Sequence, residues 1–398
     1  MKILRLEVNG FRSLKNVVWE PDDLNVVIGP NATGKSNLLR FLELISLSAQ
    51  GGLGKYVQSS GGMEPLVWDG SFEGIGFKIK ASPVESYRDV GRESLTYEIE
   101  MNRIGTTSAY RIWREQLANY HAVETGEKTE PFKLLTRTGT RGVVFDEKEK
   151  GLIAPEESIS EEETLLSSAI GPFVHNHLIP PFRAQLANWC IYHDLHVNKD
   201  APIRQSVIAK REKTVAPDGQ NLVSVLHTLY EEERDFAKDI DAAMKAAFGD
   251  DFESLTFPPA ADQRIQLRVR WKSLRREQSA ADLSDGTLRF LLLLTILASP
   301  LPAPLIAIDE PEIGLHPSML PIVAEYAIDA ASRTQVIFTT HSPQLLNAFK
   351  DKRPSTTVTK WINGETVLQK LSGESLDYWL KEYSLGTLFE SGELENLK

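Results

Sequence analysis

Apolar and polar residues alternate in some stretches of the chain and recur at helical spacing in others. Met1-Lys2-Ile3-Leu4-Arg5-Leu6-Glu7-Val8 alternates as a half-buried strand does, and Asn9-Gly10 predicts the first turn. Ile75, Phe77 and Ile79 alternate with Gly76, Lys78 and Lys80, and Leu95, Tyr97, Ile99 and Met101 alternate with polar residues. With pieces around Tyr110–Trp113, Phe132–Leu135 and Val143–Phe145, these predict an antiparallel β region. Residues 221–248 carry Leu222, Val225, Leu226, Leu229 and Phe236 at helical spacing. Three short apolar stretches, Leu24–Ile28, Leu305–Ile308 and Val336–Phe338, predict strands, and Leu305–Ile308 reads as a buried parallel one. The run Phe290–Leu301 predicts a buried helix leading into one of them. No heptad pattern lasts three or four repeats, and no internal repeat is present. Residues 50–62, rich in Gly and Ser, are expected to form a mobile loop. The class this predicts is α/β, with a mixed central sheet, an antiparallel β subdomain and a helical insertion.

Directly after Leu24–Ile28 comes Gly29-Pro30-Asn31-Ala32-Thr33-Gly34-Lys35-Ser36, followed by Asn37 and a helical pattern to Leu47. The pattern G-x-x-x-x-G-K-S between a strand and a helix is a phosphate-binding P-loop. Its glycines let backbone N–H groups curl around phosphate, and the helix N-terminus adds its dipole. Lys35 is expected to reach the β- and γ-phosphates of ATP, and Ser36 to ligate Mg²⁺. The second run ends in Asp309-Glu310, the pattern of a Walker B strand. There Asp309 is expected to hold Mg²⁺ through water, and Glu310 to act as general base toward the attacking water.

Two further motifs gain weight from their order. Leu283-Ser284-Asp285-Gly286 starts a helix 25 residues before Asp309; Ser284 or Asp285 suits a plain N-cap, while Ser284 and Gly286 at a helix N-terminus also suit an anion. Thr339-Thr340-His341-Ser342-Pro343 closes the third apolar run, 32 residues after Asp309. The set resembles the SMC/RecF-like branch of ABC-type ATPases. Within it, the chain is similar to stand-alone bacterial ATPases and to the ATPase half of OLD-family nucleases. The residues that carry this are Leu6–Leu14, Gly29–Leu39, Asp309-Glu310-Pro311-Glu312 with Leu315-His316-Pro317, and Thr340–Pro343; Tyr383–Leu388 and Asp218–Leu222 add weaker similarity.

The resemblance implies a signature motif at Ser284 and Gly286, a D-loop at Pro311–Pro317 and a switch histidine at His341. It implies two heads paired head to tail, as a dimer or within a higher oligomer. Each site would join Lys35, Ser36, Asp309, Glu310 and His341 of one copy to Ser284 and Gly286 of the other. The chain departs from the transporter pattern at Asp285, where transporters carry Gly. No Gln follows Gly286, and Gln50, Gln58 and Gln185 all compete for the Q-loop. The 248 residues between Ser36 and Ser284 imply a split head: one composite domain over 1–398, its core from 1–80 and 255–398, and a β-rich then helical insertion over 81–254.

Bulk properties narrow the role. A net charge of −11 excludes a surface that is basic all over, yet Arg268, Arg270, Lys272, Arg275 and Arg276 line one strand face and its turn. That stretch is either a solvated face or a contact for DNA or a partner. One cysteine, Cys190, excludes an internal disulfide and fits a cytoplasmic setting. Phe290–Leu301 is too short and broken to span a bilayer, so no membrane role is expected. His175, His177, Cys190, His193 and His196 cluster in sequence, but their spacing fits no familiar zinc site and their flanks read as core. Only 57 residues follow His341, too few for the TOPRIM nuclease of OLD enzymes, so any nuclease is expected on a separate effector. The expected function is ATP hydrolysis that controls a nucleic-acid-directed process such as DNA repair or phage defence. The alternatives are a transporter nucleotide-binding subunit and a slow regulatory ATP-binding module.

Overall fold

The computed structural model describes residues 1–70, 72–82, 94–105, 108–120, 131–154, 159–168, 175–349, 352–371 and 384–392. Tyr383 and part of the acidic stretch 156–163 lie outside the described residues. The chain forms two compact units that interleave in sequence. One takes Met1–Asp22, Gly29–Trp189 and Thr357–Lys370; the other takes Asp23–Ile28, Cys190–Thr356 and Leu371–Lys398. Of the expected insertion over 81–254, the β-rich part belongs to the first unit and the helices from Leu222 onward to the second.

The first unit holds an eight-stranded antiparallel sheet. Its order is Leu14–Trp19, Ile3–Phe11, Gly74–Ala81, Ser94–Arg103, Tyr110–Tyr120, Phe132–Thr138, Arg141–Asp146 and Gly151–Ile153. The period-2 pattern sets the register: Phe77 faces Ile99 and Ile79 faces Tyr97, and all four are buried. Their rings continue into the helix Lys35–Gln50. Phe11, Phe41 and Phe77 stack at centroid spacings of 5.0 and 5.6 Å, and Tyr97 and Phe182 extend the column at 6.0 and 5.8 Å. Such pairs contribute about 0.5–1.5 kcal/mol each beyond their buried area. The helix that follows the P-loop is thereby fixed to the sheet through Phe41.

Two local expectations fail here. Asn9 and Gly10 lie within the strand Ile3–Phe11, and the chain turns at Arg12 and Ser13 instead. Gly10 has φ +76°, and a Cβ there would lie 2.5 Å from the Gly74 carbonyl oxygen. Close approach of the neighbouring strand, rather than a turn, requires this glycine. The Gly/Ser-rich stretch 50–62 contains a helix, Leu53–Ser59. The Glu163 carboxylate accepts the backbone N–H groups of Leu53 (3.3 Å) and Gly54 (2.9 Å), a cap supplied from a distant point in the chain.

The second unit holds four parallel strands in the order Cys190–Tyr192, Leu305–Asp309, Gln335–Thr340, Leu24–Ile28. Leu24–Ile28 and Gln335–Thr340 are buried along their whole length, including the polar Asn25, Gln335, Thr339 and Thr340. The helix Asp285–Leu297 is buried nearly all round. The pattern over 221–248 forms two helices, Leu222–Glu232 and Arg234–Phe248, which break at Glu233. The alternation over 264–272 is real, with Ile265, Leu267 and Val269 buried, but it divides between the strands Arg264–Ile265 and Arg268–Trp271 of two small sheets. The whole is an α/β P-loop fold with an antiparallel β subdomain, as the patterns predict.

Candidate functional site: a P-loop and a Walker B carboxylate pair

The P-loop is shaped by residues around it. Gly29 (φ +147°) and Gly34 (φ +103°) adopt backbone conformations that L side chains rarely reach. A Cβ on Gly29 would lie 2.3 Å from Thr359 Oγ1, and one on Gly34 would lie 2.1 Å from Thr366 Oγ1. Thr359 and Thr366 belong to the hairpin of Ser355–Ile362 and Glu365–Lys370, so this hairpin packs directly on the loop. Thr366 Oγ1 donates to the Thr33 carbonyl and shares a hydrogen bond with Ser13 Oγ, both at 2.8 Å, and Ser13 Oγ accepts from Asn37 Nδ2 at 2.8 Å. Thr33 Oγ1 donates to the Pro30 carbonyl at 2.8 Å.

Within this frame, buried Lys35 donates from Nζ to the carbonyls of Gly29 (2.7 Å) and Pro30 (3.0 Å). Its ammonium therefore lies over the hollow of the loop. Pro30, Asn31 and Ala32 are exposed at the rim, and Ser36 is half-buried at the start of the helix Lys35–Gln50. No side chain caps that helix N-terminus. A loop of positive-φ glycines, an ammonium turned inward and an uncapped helix end form a cradle that fits triphosphate oxygens.

The carboxylates Asp309 and Glu310 lie at the end of the strand Leu305–Asp309, and His341 follows the end of the adjacent parallel strand Gln335–Thr340, where ligands bind in such sheets. Asp309 pairs in register with Thr339, and Thr339 Oγ1 donates to Asp309 Oδ1. Glu310 adopts φ +47°, a left-handed conformation uncommon for a non-glycine residue. Its N–H is held by Thr339 through the carbonyl (3.1 Å) and Oγ1 (3.3 Å). The Glu310 carboxylate is partly exposed and contacts His341 Nδ1 at 2.9 Å. Glu310 and His341 thus stand side by side at the ends of neighbouring strands. Asp309, with one oxygen fixed by a neutral hydroxyl, is a hard oxygen ligand of the type Mg²⁺ takes.

Behind this pair, Thr340 Oγ1 donates to Glu312 Oε1, while Glu312 Oε2 is buried without a hydrogen bond. Burial pushes the Glu312 carboxyl above the usual carboxylate range and holds Arg289 below the usual guanidinium range. Arg289 lies on the helix Asp285–Leu297 and feels the charges of Asp194, Glu312 and Glu310.

At the signature, Ser284 is the N-cap: its Oγ accepts from Thr287 N–H at 3.1 Å and shares a hydrogen bond with Thr287 Oγ1. Ser284 is exposed. A Cβ on Gly286 would lie 2.7 Å from the Gly314 carbonyl oxygen, so the glycine lets the segment around Gly314 approach the helix Asp285–Leu297. That role, like the bracing by Ser13, Thr359 and Thr366 and the Thr339 support of Asp309, escapes sequence reasoning. Only the polar pair Thr339-Thr340 at the end of an apolar strand hinted at it.

Other candidates have local partners. Gln50 Nε2 donates to the Ala187 carbonyl (2.7 Å), and Gln185 Oε1 accepts from the N-terminal ammonium (3.3 Å); Gln58 lies exposed on the helix Leu53–Ser59. His175 meets Asp146, His177 meets Glu147 and His196 meets Asp194. Cys190 is buried, which pushes its thiol up. Among the described residues no group of three or more His, Cys, Asp or Glu side chains could hold a metal ion.

Known families match the two stretches that carry the motifs. Residues 194–347 match the family described as "AAA domain, putative AbiEii toxin, Type IV TA system", and residues 1–59 match the family "AAA ATPase domain". No curated protein matches the chain. Among solved structures, the SmcHead bound to the C-winged helix domain of ScpA aligns over 95% of this chain and 100% of its own, at 14% identity and TM-score 0.56. An Smc head domain with an extended coiled coil, bound to the C-terminal domain of ScpA derived from Pyrococcus furiosus, aligns over 96% and 98%, at 13% identity and TM-score 0.54. At these identities the likeness is one of fold. Fold, motifs and family matches together define the class, a P-loop ATPase. Within that class the fold is similar to that of Smc head domains.

Proposed function

We propose that the chain binds ATP with Mg²⁺ and hydrolyses it to ADP and phosphate in a head-to-tail pair of copies. The observation that carries this is the Glu310–His341 contact at 2.9 Å beside Asp309, on strands adjacent to the one that runs into the P-loop. Lys35 and the loop N–H groups bind the phosphates, and Ser36 and Asp309 hold Mg²⁺. When bound, that ion neutralises charge that develops on the phosphoryl oxygens. Glu310 takes a proton from the attacking water as the new bond to the γ-phosphorus forms. The bond to the bridging oxygen breaks, and ADP leaves. His341 orients Glu310 and the γ-phosphate. Ser284 and Gly286 of the second copy complete the site, and hydrolysis separates the pair. The chemical energy is thus used as a change in association.

The pair controls a nucleic-acid-directed process, DNA repair or phage defence, through a separate effector protein. Three observations support this. The family matched over residues 194–347 is described by a toxin of a toxin–antitoxin system. Heads of this fold have been solved bound to a partner, ScpA. Exposed Arg270, Lys272, Arg275 and Arg276 offer phosphate contacts, although Arg270 also meets Glu277 at 3.1 Å. Among the described residues no helix is long and apolar enough to cross a membrane.

The Glu310→Gln variant tests the pairing. With ATP and Mg²⁺ its mass on light scattering doubles, and with ADP it does not; a mass that ignores ATP refutes the pair. Turnover measured with and without double-stranded DNA at low salt tests the second part. Unchanged rate and affinity count against a nucleic-acid role.

A further inference from the structure

A single arginine outside every motif holds the signature loop. Arg204 ends the short turn Pro202–Arg204, and its side chain is 4% exposed. Nε donates to the carbonyls of Val197 (2.8 Å) and Asn198 (2.9 Å). Nη1 donates to the carbonyls of Ala280 (3.1 Å) and Leu283 (2.7 Å), and Nη2 donates to the Asp285 carboxylate. The planar fork thus spans the loop from Ala280 to the first helical residue of the signature. Asp285, the position at which transporters carry Gly, supplies the ionic end of that grip.

The turn that presents Arg204 is itself fixed. Gln220 Oε1 accepts from Ile203 N–H at 3.2 Å, and Gln220 Nε2 donates to the His196 carbonyl at 3.0 Å. Gly219, at φ +72°, leaves room for Leu292 of the signature helix, 3.0 Å from where its Cβ would lie. Asp218-Gly219-Gln220-Asn221 therefore braces the arginine from behind.

We infer that Arg204, with Asp285 as its counter-ion, is a positioning residue that sets Ser284 and Gly286 for the ATP of a second copy. Lysine cannot replace it, because one ammonium does not reach carbonyl and carboxylate acceptors spread around a plane. The inference rests on the proposed pairing. Removing the guanidinium leaves buried carbonyls without donors and frees the loop, while the P-loop is untouched. Cost should fall on association and not on nucleotide binding.

The test is made in the Glu310→Gln background. Arg204→Lys and Asp285→Asn are added singly, and two constants are measured: the affinity of the monomer for a fluorescent ATP analogue and the ATP-dependent dimer constant. Both variants should weaken the dimer about tenfold and leave nucleotide affinity within about twofold. Asp285→Asn keeps an acceptor and the fold, so it decides the matter should Arg204→Lys unfold. A dimer constant unchanged in Asp285→Asn, whatever its melting temperature, overturns the inference. Failure of the Glu310→Gln parent to pair removes the pairing itself and the inference with it, so the two failures are distinct.

Discussion

The P-loop and the Walker B end of the molecule build polar sites of opposite charge, one suited to phosphate oxygens and one made of carboxylates, by opposite means. The P-loop uses backbone: two positive-φ glycines, an uncapped helix end and a lysine folded over its own loop. The Walker B end uses side chains, and each is oriented by a neighbour on the next strand: Asp309 by Thr339, Glu310 by His341, Glu312 by Thr340. The backbone cradle is formed by eight consecutive residues, with Thr359 and Thr366 packed against its glycines. A side-chain array is complete only when several strands are in register. The comparison predicts that damage to the first removes binding, whereas damage to the second removes turnover and spares binding.

The largest effect belongs to the cradle. Lys35→Ala, or Gly34→Ala with its 2.1 Å clash, should lower kcat/KM by about a thousandfold or more and abolish ATP binding by calorimetry. Retained binding in either variant would break the comparison. Next, Glu310→Gln should lower kcat by about 10²–10⁴-fold while ATP affinity stays near wild type. Loss of affinity in step with kcat would mean that Glu310 belongs to binding.

A finer probe is Thr339→Val, which keeps shape and removes the hydroxyl that fixes Asp309. The Mg²⁺ concentration for half-maximal turnover should rise by about 10–100-fold. An unchanged Mg²⁺ requirement would show that Asp309 needs no such support. The smallest effect concerns Glu312. Its folded pKa is raised by burial, so its contribution favours the fold below the unfolded value near 4.5 and is lost as pH rises through the folded value. Glu312→Gln should melt progressively higher than wild type as pH goes from 4 to 8. A constant difference in melting temperature across that range would show that the carboxyl is not so perturbed.

The same contrast explains what could be read without coordinates. The P-loop is legible because its chemistry lies within eight consecutive residues whose types fix the backbone. The strand Leu305–Asp309 is legible because four consecutive apolar residues ahead of two carboxylates have few other uses. The braces were hidden: Thr359 and Thr366 reach Gly29 and Gly34 from across most of the chain, and nothing in a Thr-rich hairpin advertises it. Glu163 turns a Gly-rich stretch into a helix by capping Leu53 and Gly54, and a local pattern cannot show a distant cap. Asn9-Gly10 misled because a glycine needed for strand approach looks the same in sequence as one needed for a turn. Gly286 shows the same ambiguity in the signature. It suits an anion, and it also admits the Gly314 carbonyl.

The central claim is that one ATP is served by two copies of the chain, and a mixing experiment addresses it most directly. Lys35→Ala lacks a working cradle, and Ser284→Arg blocks the signature; each alone should be inactive. Mixed in equal amounts, they form pairs in which the intact cradle of one copy meets the intact signature of the other. About a quarter of wild-type ATPase activity should return if the copies exchange freely and the two sites act independently. Activity that stays at the level of the separate variants, in a mixture shown to exchange subunits, would contradict the shared site.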